Sequence, residues 1–310
     1  MEGTKFHGIV VESTGSHYKV LTDDGRMVGC RIRGKLRLKG VRSTNPVVVG
    51  DGVTCELLPD GEGGIMAIDE RRNYIIRRAS NLSKESHIIA VNIDLALVVV
   101  TLTEPRTSPE FIDRFLVTCE AYHIPALIVL NKCDMLESAD EAVEEFVHDY
   151  GLAGYEVVKV AALHGKGVER VREAVRGKTV LLSGNSGVGK STLVKALSPD
   201  AEVKIGEISD VHHKGKHTTT FSRVYRLADG SNIIDTPGIK GFGLIDIGGD
   251  ELWHYFPEFM RHAEGCRFYN CTHTHEPGCA VREAVENGDI AFGRYESYLK
   301  ILDEDGKYRQ

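Results

Sequence analysis

Gly184-Asn185-Ser186-Gly187-Val188-Gly189-Lys190-Ser191 follows Thr179-Val180-Leu181-Leu182 and leads into Thr192-Leu193-Val194-Lys195-Ala196-Leu197. An apolar run, a glycine-rich turn ending in Lys-Ser and an apolar continuation predict a strand, a phosphate loop and a helix whose N-terminus favours an anion. Gly184 and Gly189 let backbone amides wrap phosphate oxygens. Lys190 brings charge to the outer phosphates, and the Ser191 hydroxyl suits Mg2+. Gly184 through Thr192 is therefore the expected phosphate-binding segment.

A phosphate loop does not choose between bases, and Asn131-Lys132-Cys133-Asp134 does. A carboxylate at Asp134 can accept the ring N–H and the exocyclic amine of guanine, a donor pair that adenine lacks. Asn131 can bond the other edge of the base, and Lys132 can lie under the ring. The tetrad follows the apolar run Ala126 to Leu130, where a ligand loop belongs in an open α/β sheet. In the usual order of a GTP site the phosphate loop comes first. Here the tetrad precedes it, so both halves of the site are present but permuted.

Two further segments complete the expected pocket. Ser231-Asn232-Ile233-Ile234 reads as a strand leading into Asp235-Thr236-Pro237-Gly238, where Asp235 would hold the Mg2+ shell and the Gly238 amide would meet the third phosphate. Gly215-Lys216-His217-Thr218-Thr219-Thr220 offers hydroxyls for Mg2+, with Thr219 the candidate ligand among three threonines. After Gly238 comes Ile239, which cannot orient water as a glutamine would. His217 is the candidate catalytic residue in its place, a histidine being suited to position or deprotonate water near neutral pH.

Cys266, Cys271, His273 and Cys279 follow the pattern C-x4-C-x-H-x5-C, with His275 an alternative fourth ligand. Three thiolates and one imidazole make a closed shell of the structural zinc type, one ion per chain. Such an ion replaces the apolar core that a small segment lacks.

Outward from these motifs the chain divides by pattern. Short β-type runs from Phe6 to Asp69, such as Gly8 to Val11 and His17 to Leu21, are broken by turns at Asp23-Asp24-Gly25 and Pro59-Asp60-Gly61. They predict a small OB-like β-barrel. From Ile88 to Gly241, apolar strands at Leu95 to Leu102 and Ala126 to Leu130 alternate with helices at Pro109 to His123, Ala139 to Tyr150 and Gly167 to Arg176, the pattern of a doubly wound α/β domain. After Leu244 the chain is irregular and rich in Cys and His, ending in a helical segment from Ala280 to Leu302. The expected boundaries are 1–70, 71–243 and 244–310.

Between Arg26 and Arg42 lie Arg31, Arg33, Lys35, Arg37 and Lys39 with no acidic residue. On an extended strand those five share one face, a basic stripe suited to a phosphate backbone and so to structured RNA. The net charge of −7 argues against general coating of nucleic acid.

The composition, 27% charged and 42% hydrophobic over 310 residues, is that of a globular protein. No apolar run approaches the roughly 20 residues needed to span a bilayer. The start MEGTKFHGIV lacks a signal-peptide pattern, and seven cysteines read as reduced thiols or metal ligands. The expected location is cytoplasmic, away from membranes, and the expected state monomeric.

Taken in order, the OB-like segment, NKCD, GNSGVGKS, GKHTTT, DTPG and the Cys/His segment resemble the RsgA (YjeQ) circularly permuted GTPases, over nearly the whole chain. The resemblance implies an α/β P-loop GTPase domain, circularly permuted, between an OB-like barrel and a zinc-binding, mostly helical C-terminal domain. It implies a late assembly factor of the small (30S) ribosomal subunit that contacts its rRNA, is stimulated by the particle and is released by GTP hydrolysis. It assigns GTP to residues 131–134 and 184–192, and zinc to Cys266, Cys271, His273 and Cys279. The S-A-L segment of such GTPases reads Ala161-Ala162-Leu163 here, where a backbone amide, taken as that of Ala162, is expected to meet the base. Lys240 stands where an arginine is often found. Two other readings share parts of the pattern: an RNA-binding module that uses GTP as a structural ligand, and a large-subunit permuted GTPase.

Overall fold

Alternating apolar residues set the N-terminal strands: Val10, Tyr18, Val20, Cys30, Val53, Cys55 and Ile65 are all buried in one cluster. They come from β1 (Lys5–Ser13), β2 (Tyr18–Thr22), β3 (Met27–Ile32), β4 (Gly52–Leu57) and β5 (Gly63–Ile68). The strands follow the order β1-β2-β3-β5-β4, and β4 pairs back onto β1, from Lys5↔Glu56 to Ile9↔Gly52. Closure removes the sheet edges and gives the expected OB-like barrel. Gly8 is required by a close approach, since a Cβ there would meet the Leu21 carbonyl oxygen at 2.3 Å.

The computed structural model describes residues 4–33, 46–78, 86–136, 141–198, 223–235 and 247–308. The chain falls into two compact units, residues 1–95, 174–183 and 198–245 in one, and 96–173, 184–197 and 246–310 in the other.

In the first unit the barrel continues into an antiparallel ribbon, β6 (Tyr74–Arg78) with β7 (Ser86–Val91), that the sequence pattern did not announce. The start of this connection is pinned by a buried ion pair. Arg71 Nε and Nη2 donate to Asp51 Oδ1 at 2.7 Å and Oδ2 at 2.8 Å, and Nη2 also reaches the Pro46 carbonyl. Burial pushes the Asp51 carboxyl up, against the pull of Arg71. The same unit holds β11 (Thr179–Ser183), β12 (Arg223–Arg226) and β13 (Asn232–Asp235), with β13 parallel to β11 and antiparallel to β12. β12 also pairs with the barrel, Glu12 of β1 lying opposite Arg223.

In the second unit three parallel strands lie in the order β10 (Val157–Lys159), β9 (Ala126–Leu130), β8 (Leu95–Val100). Every residue of β8 is buried, as a strand covered on both faces requires. Each such Val or Leu contributes about 1.5–3 kcal/mol by leaving water. α1 (Pro109–Ala121) connects β8 to β9, and α2 (Glu141–Ala153) connects β9 to β10. α1 starts where it does because Ser108 caps it, its hydroxyl accepting from Phe111 N, with proline at the first turn. α3 (Val168–Val175) follows β10, and α4 (Lys190–Leu197) follows the glycine-rich loop.

The stretch expected to be irregular contains a short 3-10 helix, Leu252–Tyr255, and α5 (Pro257–Ala263). The single helical segment expected from Ala280 to Leu302 is in fact two helices, α6 (Ala280–Asn287) and α7 (Phe292–Tyr308). Gly288 ends α6 by taking φ 81°, a left-handed cap in which its N–H bonds the Ala284 and Val285 carbonyls. Among the described residues no helix is long and apolar enough to cross a membrane.

Candidate nucleotide site and metal centre

Asn131 joins the two motifs that the chain presents in reversed order. Its side chain is buried at 3% exposure; Nδ2 donates to the Val188 carbonyl at 2.8 Å, and Oδ1 accepts the Ala162 N–H at 3.1 Å. One amide thus ties the tetrad to the phosphate loop and to the 161–163 segment. The sequence reading gave this amide to the base; here both ends meet backbone, although Nδ2 keeps a second N–H. The Ala162 N–H, expected to face the base, is given to Asn131 instead.

The glycines of the loop are fixed by this approach as much as by phosphate. A Cβ at Gly189, which has φ 97°, would lie 2.3 Å from Asn131 Nδ2. At Gly184, with φ 145°, it would lie 2.4 Å from the Val99 carbonyl oxygen. Gly187 packs against Pro105. Val188 is fully buried, whereas Ser186 and Gly187 are exposed, and Asn185, Ser191 and Thr192 are half-buried. α4 begins at Lys190, two residues earlier than its apolar pattern suggests. Lys190 Nζ folds back on the loop and donates to the Gly184 and Asn185 carbonyls at 2.6 and 2.9 Å.

The rest of the tetrad is held from below. Lys132 takes a left-handed φ of 62°, and its Nζ donates to the Glu104 carbonyl at 2.8 Å. Cys133 Sγ lies 3.2 Å from the Leu130 carbonyl, and burial pushes its thiol up. Asp134 sits in the 3-10 turn Cys133–Met135 with Oδ2 at 3.3 Å from His164 Nε2. In the other unit Asp235 ends β13 at 4% exposure, opposite Leu182 of β11. His217, Thr219 and Gly238 lie outside the described residues.

The Cys/His segment converges. One ligand atom from each of Cys266, Cys271, His273 and Cys279 lies within 4.8 Å of all the others. His273 Nδ1 faces Cys266 Sγ at 3.6 Å and Cys279 Sγ at 3.4 Å. Desolvation lowers the His273 pKa, which keeps the imidazole neutral as a ligand must be, and burial pushes the Cys271 thiol up to about 12. Three sulfurs, those of Cys271 and Cys279 buried and that of Cys266 half-buried, converging with one imidazole fit a soft-ligand metal site. His275, the alternative, is exposed and bonds Thr274 Oγ1. Tyr295 and Tyr298 hydroxyls donate to the His273 and Thr272 carbonyls at 2.7 and 2.6 Å and fix the loop. Cys279 also caps α6, its sulfur accepting from Arg282 N.

Sequence reasoning missed the charged group beneath this module. Arg294 of α7, 2% exposed, donates to Asp113 of α1 at 2.7 Å and, through Nε and Nη2, to both carboxylate oxygens of Glu258 of α5 at 2.8 and 3.2 Å. Its guanidinium also lies 4.8 Å from the Phe256 ring centre and 5.5 Å from that of Tyr155. The basic stripe, in contrast, is partly spent within the barrel. Arg31 pairs with Asp60 and Glu62, and Arg33 with Glu56. Lys35, Arg37, Lys39 and Arg42 lie outside the described residues.

Comparison with known proteins agrees with this geometry. The RsgA GTPase family model matches residues 68–245, and the RsgA N-terminal domain model matches residues 7–65. The small ribosomal subunit biogenesis GTPase RsgA of Phocaeicola vulgatus is 51% identical over 305 residues, covering 97% of this chain and 98% of that protein. Its namesake from Bacteroides fragilis is 52% identical with the same coverage. Among solved structures, YjeQ from Thermotoga maritima superposes with a TM-score of 0.77 at 33% identity, covering 97% of this chain and 99% of that one. YloQ, a circularly permuted GTPase, gives 0.75 at 28% identity, covering 99% and 96%.

Proposed function

The chain belongs to the RsgA GTPase family, and from that premise we propose that it hydrolyses GTP on the maturing small ribosomal subunit and leaves the particle when hydrolysis is complete. The observation that supports this reading is the Asn131 bridge: one side chain bonds both the tetrad's neighbour segment and the phosphate loop, although the two motifs are reversed in sequence.

Each residue has a task in that pocket. Backbone amides from Gly184 to Gly189 cradle the phosphates, and Lys190 leaves the Gly184 and Asn185 carbonyls to meet the β and γ groups. Ser191 and Asp235 would hold Mg2+, with Thr219 a further candidate ligand, and the ion would offset phosphate charge. Gly238 senses the third phosphate. Asp134 reads guanine, Lys132 lies along the ring, and Asn131 holds Ala162 and the loop in register. His217 orients the attacking water. Cys266, Cys271, His273 and Cys279 would bind one structural Zn2+, and the barrel contacts rRNA. The organisation we propose is 1–70, 71–243 and 244–310, acting as a cytoplasmic monomer.

Phosphate release, measured with and without purified small and large subunits, tests this reading. Small subunits should stimulate turnover, and Lys190→Ala should abolish it. His217→Ala should slow hydrolysis while GTP affinity stays near wild type. A chain indifferent to small subunits, or stimulated by large ones, refutes the assignment.

A further inference from the structure

Asp134 carries its carboxylate beside an imidazole. Its Oδ2 lies 3.3 Å from Nε2 of His164, the last residue of the 3-10 turn Ala162–His164. The preceding Ala161 and Ala162 carry no side-chain donor, so the imidazole is what this turn offers to the carboxylate.

The turn is itself well fixed. Ala161 N donates to the Lys166 carbonyl at 2.9 Å, and Gly165 closes the turn in a left-handed conformation at φ 70°. Ala162 N donates to Asn131 Oδ1 at 3.1 Å, so the turn is tied to the same tetrad that carries Asp134. His164 therefore approaches the carboxylate from a backbone held in register with it.

A carboxylate that accepts two parallel N–H groups from one edge of a base does so in one rotation about its last bond. That terminal torsion is intrinsically broad, so a neighbour must set it. At 3.3 Å, an imidazole that carries a proton on Nε2 attracts Oδ2 and can donate to it after a small rotation. A carboxylate oxygen has a second lone pair, which remains for the base. We propose that His164 is a positioning residue for base recognition: its imidazole holds the Asp134 carboxylate in the rotation that accepts the ring N–H and amino group of guanine. The proposal rests on the assignment of Asp134 as the base reader.

The side chains are 53% and 24% exposed, so water weakens the contact and the effect is modest. It corresponds to at most about a fivefold change in affinity, the upper end of the range for exposed pairs. The test titrates the full chain with fluorescent GDP and competes it with GTP, ITP and ATP, for wild type, His164→Ala, His164→Gln and Asp134→Asn. ITP lacks the amino group and makes one bond to the carboxylate where GTP makes two. His164→Ala should weaken GTP and GDP by that factor and narrow the preference for GTP over ITP. Turnover at saturating GTP with small subunits should not change, and neither should the melting temperature. His164→Gln, whose amide can donate, should recover most of the loss.

Unchanged GTP:ITP preference in His164→Ala overturns the proposal, as does a loss shared equally by GTP, ITP and ATP or accompanied by a lower melting temperature. If Asp134→Asn keeps the guanine preference, the base-reading assignment itself fails. If Asp134→Asn loses it while His164→Ala does not, only the role of His164 is refuted.

Discussion

Replacing Arg294 with methionine keeps most of the buried stem and removes the charge from between Asp113 and Glu258. In the native protein those carboxylates share three hydrogen bonds with one guanidinium, and Asp113 is fully buried. Losing one partner of such a pair leaves buried charge uncompensated, which costs about 3–5 kcal/mol. For a chain of this size that is a fall in melting temperature on the order of 10 °C. The loss should also depend on pH. Burial already raises the Asp113 carboxyl above its ordinary 3.8, against the pull of Arg294, and removing the arginine raises it further. A carboxyl that holds its proton more tightly when folded loses stability as pH climbs above the unfolded value. The deficit of Arg294→Met relative to wild type should therefore be largest at pH 8 and shrink toward pH 5.5. Adding Asp113→Asn and Glu258→Gln, which remove the stranded charges, should recover part of it. Urea unfolding followed by circular dichroism at both pH values measures all of this. A deficit under about 1 kcal/mol, equal at both pH values, would refute the claim that a buried ion pair clamps α7 and α5 to α1.

Two further outcomes are expected. Stripping metal with a strong zinc chelator, or Cys271→Ser, should unfold the C-terminal module, because a structural ion supplies folding free energy directly. Elemental analysis should find one zinc per native chain, and hydrogen exchange should show lost protection around residues 266–279 after removal; a chain that melts identically without metal contradicts this. Asn131→Ala should leave the Val188 carbonyl and Ala162 N–H without their partner, at about 1–3 kcal/mol for each buried group. GDP titration should then show at least a tenfold weaker affinity, and near-native binding would mean the loops are held by other contacts.

The parts of the site readable in sequence are those whose chemistry is local. The phosphate loop, the tetrad and the four metal ligands each sit within a few residues, and spacing alone conveys their role. Even there, geometry adds reasons that spacing cannot carry. Gly189 is required because Asn131 passes 2.3 Å from where its Cβ would be, a clash between residues far apart in the chain. His273 is in the metal cluster while His275 bonds Thr274, and His273 is the one with a left-handed φ, 58°. The break at Gly288 was not read, because the helical composition on both sides concealed a helix-ending glycine. The Arg294 network was not legible, since Asp113 and Arg294 are 181 residues apart and an arginine in a helix usually faces water. The outward alternation of Arg31 and Arg33 was read correctly. Their acidic partners, Glu56 in β4 and Asp60 and Glu62 in the turn before β5, are brought alongside by the barrel register.

β1 serves two neighbourhoods at once, closing the barrel through β2 and β4 and meeting β12 at Glu12 and Arg223. β12 in turn borders β13, the strand that ends in Asp235. The barrel is thus not a detachable adaptor. A chain trimmed to residues 68–245 would leave β12 paired with β13 alone and open its other edge to pairing between molecules. A variant that lacks the N-terminal module would therefore need another cover for that edge.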